Sequence, residues 1–165
     1  MRTGDRPPEQ ALPAAERSLK RVPCTATTLR QRLLRMGFDA ATADAAVSSL
    51  RDRGLLNDEA FARAWVADRA PRKGYGRQRL EQELRTRGIP RELIATALSA
   101  YSPEEELDQA MAAAERRWAQ MIAGKPEIDL VGARRKLTGW MQRRGFPPSV
   151  IAQVIRGVAR NSSYE

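Results

Sequence analysis

The sequence predicts an all-α fold: an elongated, curved array of three tandem three-helix repeats, about nine helices in all. Three observations lead there. First, Gly37, Gly88 and Gly145, spaced 51 and 57 residues apart, carry one apolar pattern around them. Leu29, Leu80 and Leu137 lie eight residues before them, and Leu33, Leu84 and Met141 four before. Phe38, Ile89 and Phe146 follow directly. The match extends to Ala46-Val47, Ala97-Leu98 and Val154-Ile155, and then to Leu50, Tyr101 and Val158. Second, apolar residues elsewhere recur at helical spacing, and no alternating strand run is found. Third, 30% of the residues are charged and only 5% aromatic, which suits a string of small helical cores better than one large core. A period near 50 residues fits stacked helical units, each needing its neighbour to bury an apolar face.

The repeated unit reads as helix, tight glycine turn, helix. A glycine just past a helix takes the left-handed conformation without Cβ cost and closes the last carbonyls. The Schellman form of that cap packs Phe38 on Leu33, Ile89 on Leu84 and Phe146 on Met141. Asp39 reads as an N-cap, and Pro90 and Pro147 fit the opening of the following helix. Any one copy also matches a DNA-reading helix-turn-helix; three spaced copies favour the array.

In chain order, residues 1–12 read as a disordered lead-in. Leu12, Ala15, Leu19 and Val22 place a first helix over about 13–22, stopped by Pro23. Thr25 caps the helix that runs to Gly37, and a third helix covers about 40–53. Asn57 or Asp58 caps the next, whose apolar face of Phe61, Ala62, Trp65 and Val66 is expected in the core. Gly74-Tyr75-Gly76 breaks the chain before helices at 76–87 and 91–101. Pro103 opens a long helix with glutamates in its first turn, where the dipole favours them. Its stripe is Leu107, Ala110, Met111, Ala114, Trp118 and Met121. Gly124-Lys125-Pro126 ends it, a linker follows, and the last pair spans about 133–144 and 148–160, leaving a frayed tail at 161–165. The repeats are then 13–54, 55–102 and 103–160.

The net charge is +9, from 29 basic and 20 acidic residues, which suggests nucleic acid or an acidic surface near it. The basic residues segregate onto the first helix of each glycine unit. These are Arg30, Arg32 and Arg35; then Arg77, Arg79, Arg85 and Arg87, with Arg72 and Lys73 upstream; then Arg134, Arg135, Lys136, Arg143 and Arg144. Lys136 and Arg143 share a helix face, as do Arg32 and Arg35. Stacked in register, such faces form a stripe that contacts phosphates with little sequence preference. Gly74 and Gly76 either admit a phosphate to the backbone or simply turn the chain. Tyr75 either stacks on a base or packs between repeats. Acidic charge collects on the helix at 104–115.

Several classes are excluded. With no histidine, His-based acid-base chemistry and Ser-His-Asp triads are absent. Cys24 is the lone cysteine, so no internal disulfide or zinc cluster forms. No apolar run is long enough to span a membrane and no signal core opens the chain, so the expected compartment is the cytoplasm. No enzyme activity, metal or cofactor is expected, and nothing demands more than a monomer.

The run Gly54-Leu55-Leu56-Asn57-Asp58-Glu59-Ala60-Phe61-Ala62, then Arg69, Arg72-Lys73-Gly74-Tyr75-Gly76, Arg79-Leu80, Glu83-Leu84 and Arg87-Gly88-Ile89, resembles the signature of the RecX family of bacterial recombinase regulators. The match is dense over about 50–100. It departs at Leu55, where an aromatic is common, and at Thr28, where a glutamate is expected. The resemblance implies a non-enzymatic all-helical array. Its partner would be the RecA recombinase filament on DNA, whose ATPase, strand-exchange and co-protease activities it would restrain, with weak DNA binding of its own. Taken with the basic stripe, it leads us to expect Arg72, Lys73, Tyr75, Arg77 and Arg79 as the central contact with RecA or DNA. Arg32, Arg35, Lys136 and Arg143 would extend it, while Gly74 and Gly76 shape the loop. The other reading is a stand-alone, sequence-nonspecific DNA-binding helical module.

Overall fold

A computed structural model of the chain describes residues 6–123 and 129–161. Among them, a 3-10 turn at Pro8–Gln10 leads into nine α-helices. These are α1 (Ala11–Arg21), α2 (Ala26–Arg35), α3 (Ala40–Asp52), α4 (Asp58–Lys73), α5 (Arg77–Thr86), α6 (Arg91–Ser99), α7 (Pro103–Ile122), α8 (Leu130–Arg143) and α9 (Pro148–Asn161). No strand occurs among the described residues. The fold is all-α, in three successive helical triples. Residues 1–5 of the expected lead-in, 124–128 of the expected linker and the tail from 162 lie outside the described residues.

The start differs from expectation. Residues 1–12 read as disordered, yet Pro8–Gln10 form a helical turn and α1 begins at Ala11, buried with Ala14 and Ala15. Proline fixes φ near the helical value and is tolerated in a first turn, so Pro8 opens a helix where composition alone suggested none.

The glycine turns form as their spacing requires. Gly37, Gly88 and Gly145 have φ of 96°, 72° and 77°. Phe38, Ile89 and Phe146 donate N–H bonds to Leu33, Leu84 and Met141 at 3.2, 3.2 and 3.3 Å. The glycine N–H groups donate to Leu34, Arg85 and Gln142. These are the two bonds of a Schellman cap, and the six apolar residues of its three pairs are all buried. Helix openings follow suit. Thr25 and Asp39 accept from Thr28 and Thr42 N–H, and the Pro90 and Pro147 carbonyls accept from Ile94 and Ile151. At α4 the N-cap is Asn57, whose side chain accepts from Ala60 N–H at 2.8 Å.

The chain packs as two compact units, Met1–Ala64 with Leu84–Ala95, and Trp65–Glu83 with Thr96–Glu165. The middle triple is thus divided between them. The first unit centres on Ala15, Leu29, Leu33, Phe38 and Leu50. The second centres on Ala110, Ala114, Leu137, Met141, Phe146 and Val154. Along α4 the buried apolar residues are Ala62, Val66 and Ala70. Phe61 and Trp65, expected as plain core, are only half-buried. Trp65 Nε1 donates to Glu83 at 3.0 Å, and the Arg69 guanidinium sits 4.1 Å from the indole centroid. The indole therefore buries one side and uses its polar edge and face at the surface.

One docking pattern occurs once in each unit. In the first, Thr25 Oγ1 donates to the Arg87 carbonyl at 2.6 Å and Thr27 Oγ1 to the Gly88 carbonyl at 3.3 Å. In the second, Gly76 N–H donates to the Arg144 carbonyl at 2.8 Å and Gln78 N–H to the Gly145 carbonyl at 3.2 Å. Thr25 and Gly76 each stand twelve residues before a turn glycine, so these are equivalent contacts. A buried carboxylate completes each one. Asp58 accepts the Ala26 N–H at 2.8 Å, and Glu106 accepts the Arg77 N–H at 2.7 Å. Both satisfy the first orphan donor of a basic helix. Each also faces an arginine, Arg51 at 3.3 Å and Arg77 at 3.6 Å. Asp58 is thus a lock between helices rather than a cap of its own.

Replacing Asp58 with Ala is expected to lower the unfolding free energy by roughly 2–3 kcal/mol, because a buried N–H loses its acceptor and Arg51 its counter-charge. Asn57→Ala, which removes only a cap, should cost about 1 kcal/mol. Urea unfolding of both variants checks this; equal losses would contradict the lock.

Candidate functional site

The loop between α4 and α5 builds the centre of the site. Gly74 directly follows α4 at φ 59°, and Gly76 directly precedes α5. A Cβ on Gly76 would lie 2.6 Å from the carbonyl carbon of Gly145 and 2.7 Å from Phe146 N. Glycine is required there because the chain's own turn, rather than a ligand, occupies the space. Tyr75 is half-buried, with the Arg79 and Arg144 guanidiniums 5.5 and 5.6 Å from its ring centroid.

Arg77 is engaged internally. Its guanidinium donates to the Leu98 carbonyl at 2.9 Å and to the Tyr101 carbonyl, closing the C-terminal end of α6, while its backbone N–H and side chain both reach Glu106. Expected among the contact residues, it instead holds α5, α6 and α7 together. Arg79 lies beside Glu83 at 3.5 Å with its side chain 42% exposed. Arg72 is exposed and pairs with Asp68 one turn earlier at 2.9 Å. Lys73 is exposed, and its carbonyl accepts from Arg144 Nη1.

Arg72 and Lys73 border a concavity of about 250 Å³, lined also by Gly74, Ala113, Arg116, Arg117, Gln120, Trp140 and Arg144. Among the described residues, no carboxylate is in that lining. Through Arg117 and Trp140 it adjoins a larger one, about 720 Å³, to which Arg135, Lys136 and Arg143 contribute, with Asp129 as the one acid among the described residues. Burial holds the Arg144 guanidinium below its ordinary range, and the Arg117 charge acts in the same direction. Arg144 is fixed against Trp140, 4.5 Å from that ring's centroid.

The first unit has its own basic concavity, about 450 Å³, lined by Arg6, Arg17, Arg21 and Arg32. Arg32 is steadied there by Ser18 Oγ and the Val22 carbonyl, each at 3.3 Å. Arg35 is exposed but stands outside that lining. Of the expected contact residues, the structure therefore brings Arg72 and Lys73 together, and Lys136 with Arg143. Arg32 lines the first unit's concavity and Arg35 does not, while Arg77 is engaged internally. Arg116, Arg117 and Trp140 were absent from the sequence expectation, and Arg144 was placed in the basic stripe but not among the contact residues. Two signals for them exist in the sequence: an Arg-Arg pair following the acidic start of α7, and Trp140 four residues before Arg144 on one helix face. Among the described residues, no group of three or more His, Cys, Asp and Glu side chains could hold a metal, and no helix is long and apolar enough to cross a membrane.

This fold and surface define a helical-repeat protein whose concave chemistry is cationic. Comparison with known proteins carries that further. The model of the second three-helix domain of RecX matches residues 57–98, and that of the third matches 104–155. A regulatory protein RecX of Amycolatopsis mediterranei is 33% identical over 141 residues, covering 86% of this chain and 78% of that one. One from Trichlorobacter lovleyi is 34% identical over 153 residues, covering 92% and 97%. A crystal structure of RecX from Lactobacillus salivarius shares the fold with a TM-score of 0.79, at 18% identity over 92% of this chain and 96% of that one. The chain belongs to the RecX family of regulatory proteins.

The division of labour among the arginines is testable. Arg77→Ala should cost roughly 2–3 kcal/mol, since two helix-end carbonyls and the buried Glu106 lose their partner. Arg117→Glu, at an exposed position, should stay within about 0.5 kcal/mol of the parent. Urea midpoints decide it; a silent Arg77→Ala would return that residue to the surface set.

Proposed function

We propose that the chain is a non-enzymatic regulator that binds the RecA recombinase filament on DNA and restrains its ATPase, strand-exchange and co-protease activities. It would thereby regulate recombinational repair and the SOS response in the cytoplasm, as a monomer. Its repeats are 13–54, 55–102 and 103–160, in line with the matched second and third domains. The observation that carries this reading is the concavity between α4, α7 and α8, free of carboxylates among the described residues, in a member of the RecX family. A folded chain gathers arginines and lysines without acids at a cost in self-repulsion, which an anionic partner offsets.

The contact set in this proposal is Arg72, Lys73, Tyr75, Arg79, Lys136 and Arg143 in the second unit, with Arg32 and Arg35 in the first. Two basic regions on one chain allow weak contacts to add as an intramolecular second binding event. Bridging neighbouring filament subunits would then oppose the motions that turnover and strand pairing need. The other reading, a stand-alone DNA-binding module, predicts binding to DNA alone with a steep salt dependence and no added affinity for filament.

Co-sedimentation with RecA filaments on single-stranded DNA separates the two. The parent chain should pellet with filament more tightly than with DNA alone. Arg72→Glu combined with Lys73→Glu should weaken that by about tenfold, the order expected for losing paired charge contacts, with helicity by circular dichroism unchanged. Equal affinity for filament and bare DNA would favour the stand-alone module.

A further inference from the structure

The second unit holds a feature that charge alone does not explain. Trp140, on α8, is half-buried and lines both adjoining concavities. Arg144 packs on it, and Arg144 in turn lies near Tyr75, beside which sits Arg79. The result is a ladder of flat groups, indole, guanidinium, phenol and guanidinium, beside cations that point into the same space. Arg116 and Arg117 lie opposite on α7, and neither has a carboxylate within ion-pair distance among the described residues.

We propose that this concavity is a single-stranded nucleic-acid site in which Trp140 stacks an unpaired base while Arg116, Arg117 and Lys73 take the flanking phosphates. The chemistry selects this partner. An aromatic face next to fixed cations recognises a base with its phosphate, whereas an acidic peptide would need only the charge. Base faces in a duplex are already stacked on their neighbours, so Trp140 favours a single strand. The adjoining concavity, with Arg135, Lys136 and Arg143, continues the track beyond one nucleotide. The site specifies which surface of the regulator proposed above meets DNA, and so rests on that reading. Its test uses protein and DNA alone.

The test is fluorescence anisotropy of labelled oligothymidylate, about twenty nucleotides long, at fixed salt. Loss of stacking is worth about tenfold or more in affinity, so Trp140→Leu should weaken binding by that order while Trp140→Phe retains most of it. Arg116→Glu with Arg117→Glu, which leaves the indole in place, should weaken binding similarly and flatten the dependence of log affinity on log salt. Tryptophan quenching on titration should persist in Trp65→Phe and vanish in Trp140→Phe. Unchanged affinity in both the Leu and the double-Glu variants overturns the site. So does tighter binding to duplex than to single strand, or equal competition by a free nucleoside triphosphate or an acidic peptide. Should the site fail while the parent chain still inhibits recombinase, the regulator reading stands. Strand binding without any effect on recombinase would leave the site and remove the regulator.

Discussion

Each glycine turn closes one helix, and two of the three also provide the surface on which an earlier basic helix sits. At Gly88 the turn receives the start of α2; at Gly145 it receives the start of α5. The approach is close enough that a Cβ on Gly145 would meet Arg79 Cα at 2.8 Å, and one on Gly88 would meet Thr27 Cβ at 2.6 Å. Glycine at these places thus answers two demands, a left-handed cap and a bare surface for another backbone. The buried carboxylates of Asp58 and Glu106 then close the helix starts that the turns bring in. Because the same contact recurs in both units, the second triple serves each unit with different parts, which is why it does not form a compact body of its own.

That dependence also determined what could be read from the chain. Period, glycine position and apolar offsets are local, and the three Schellman pairs, the Thr25 and Asp39 caps and the α7 stripe followed from them. What escaped was set by contacts between residues distant in sequence. Arg77 looked like one more cation on a basic helix until the Leu98 and Tyr101 carbonyls and Glu106 came within reach of it. Asp58 looked like a cap until Ala26 and Arg51 claimed its two oxygens. Gly76 looked fit for a phosphate until the Gly145 turn filled the space. Arg116 and Arg117 were hidden by the acids that precede them in their own helix and make α7 acidic overall.

The charge pattern gains meaning from the same geometry. Arginines whose carbonyl or carboxylate partners lie within their unit stabilise the fold, as Arg77 and Arg51 do. Those lining the concavities, notably Arg116, Arg117, Lys73 and Lys136, are surplus to that task. A net charge of +9 by itself marks only a basic protein. Its division into engaged and unengaged cations marks where an anionic partner would sit, and membership of the RecX family supplies the partner proposed for it.

The measurement to make first is the ATPase rate of the cognate recombinase on single-stranded DNA as this chain is titrated in. Regulation of the filament predicts loss of ATPase at well below one chain per recombinase subunit, since one bound chain would restrain several neighbours. An unchanged rate, with DNA binding by the chain intact at the same salt, would contradict it.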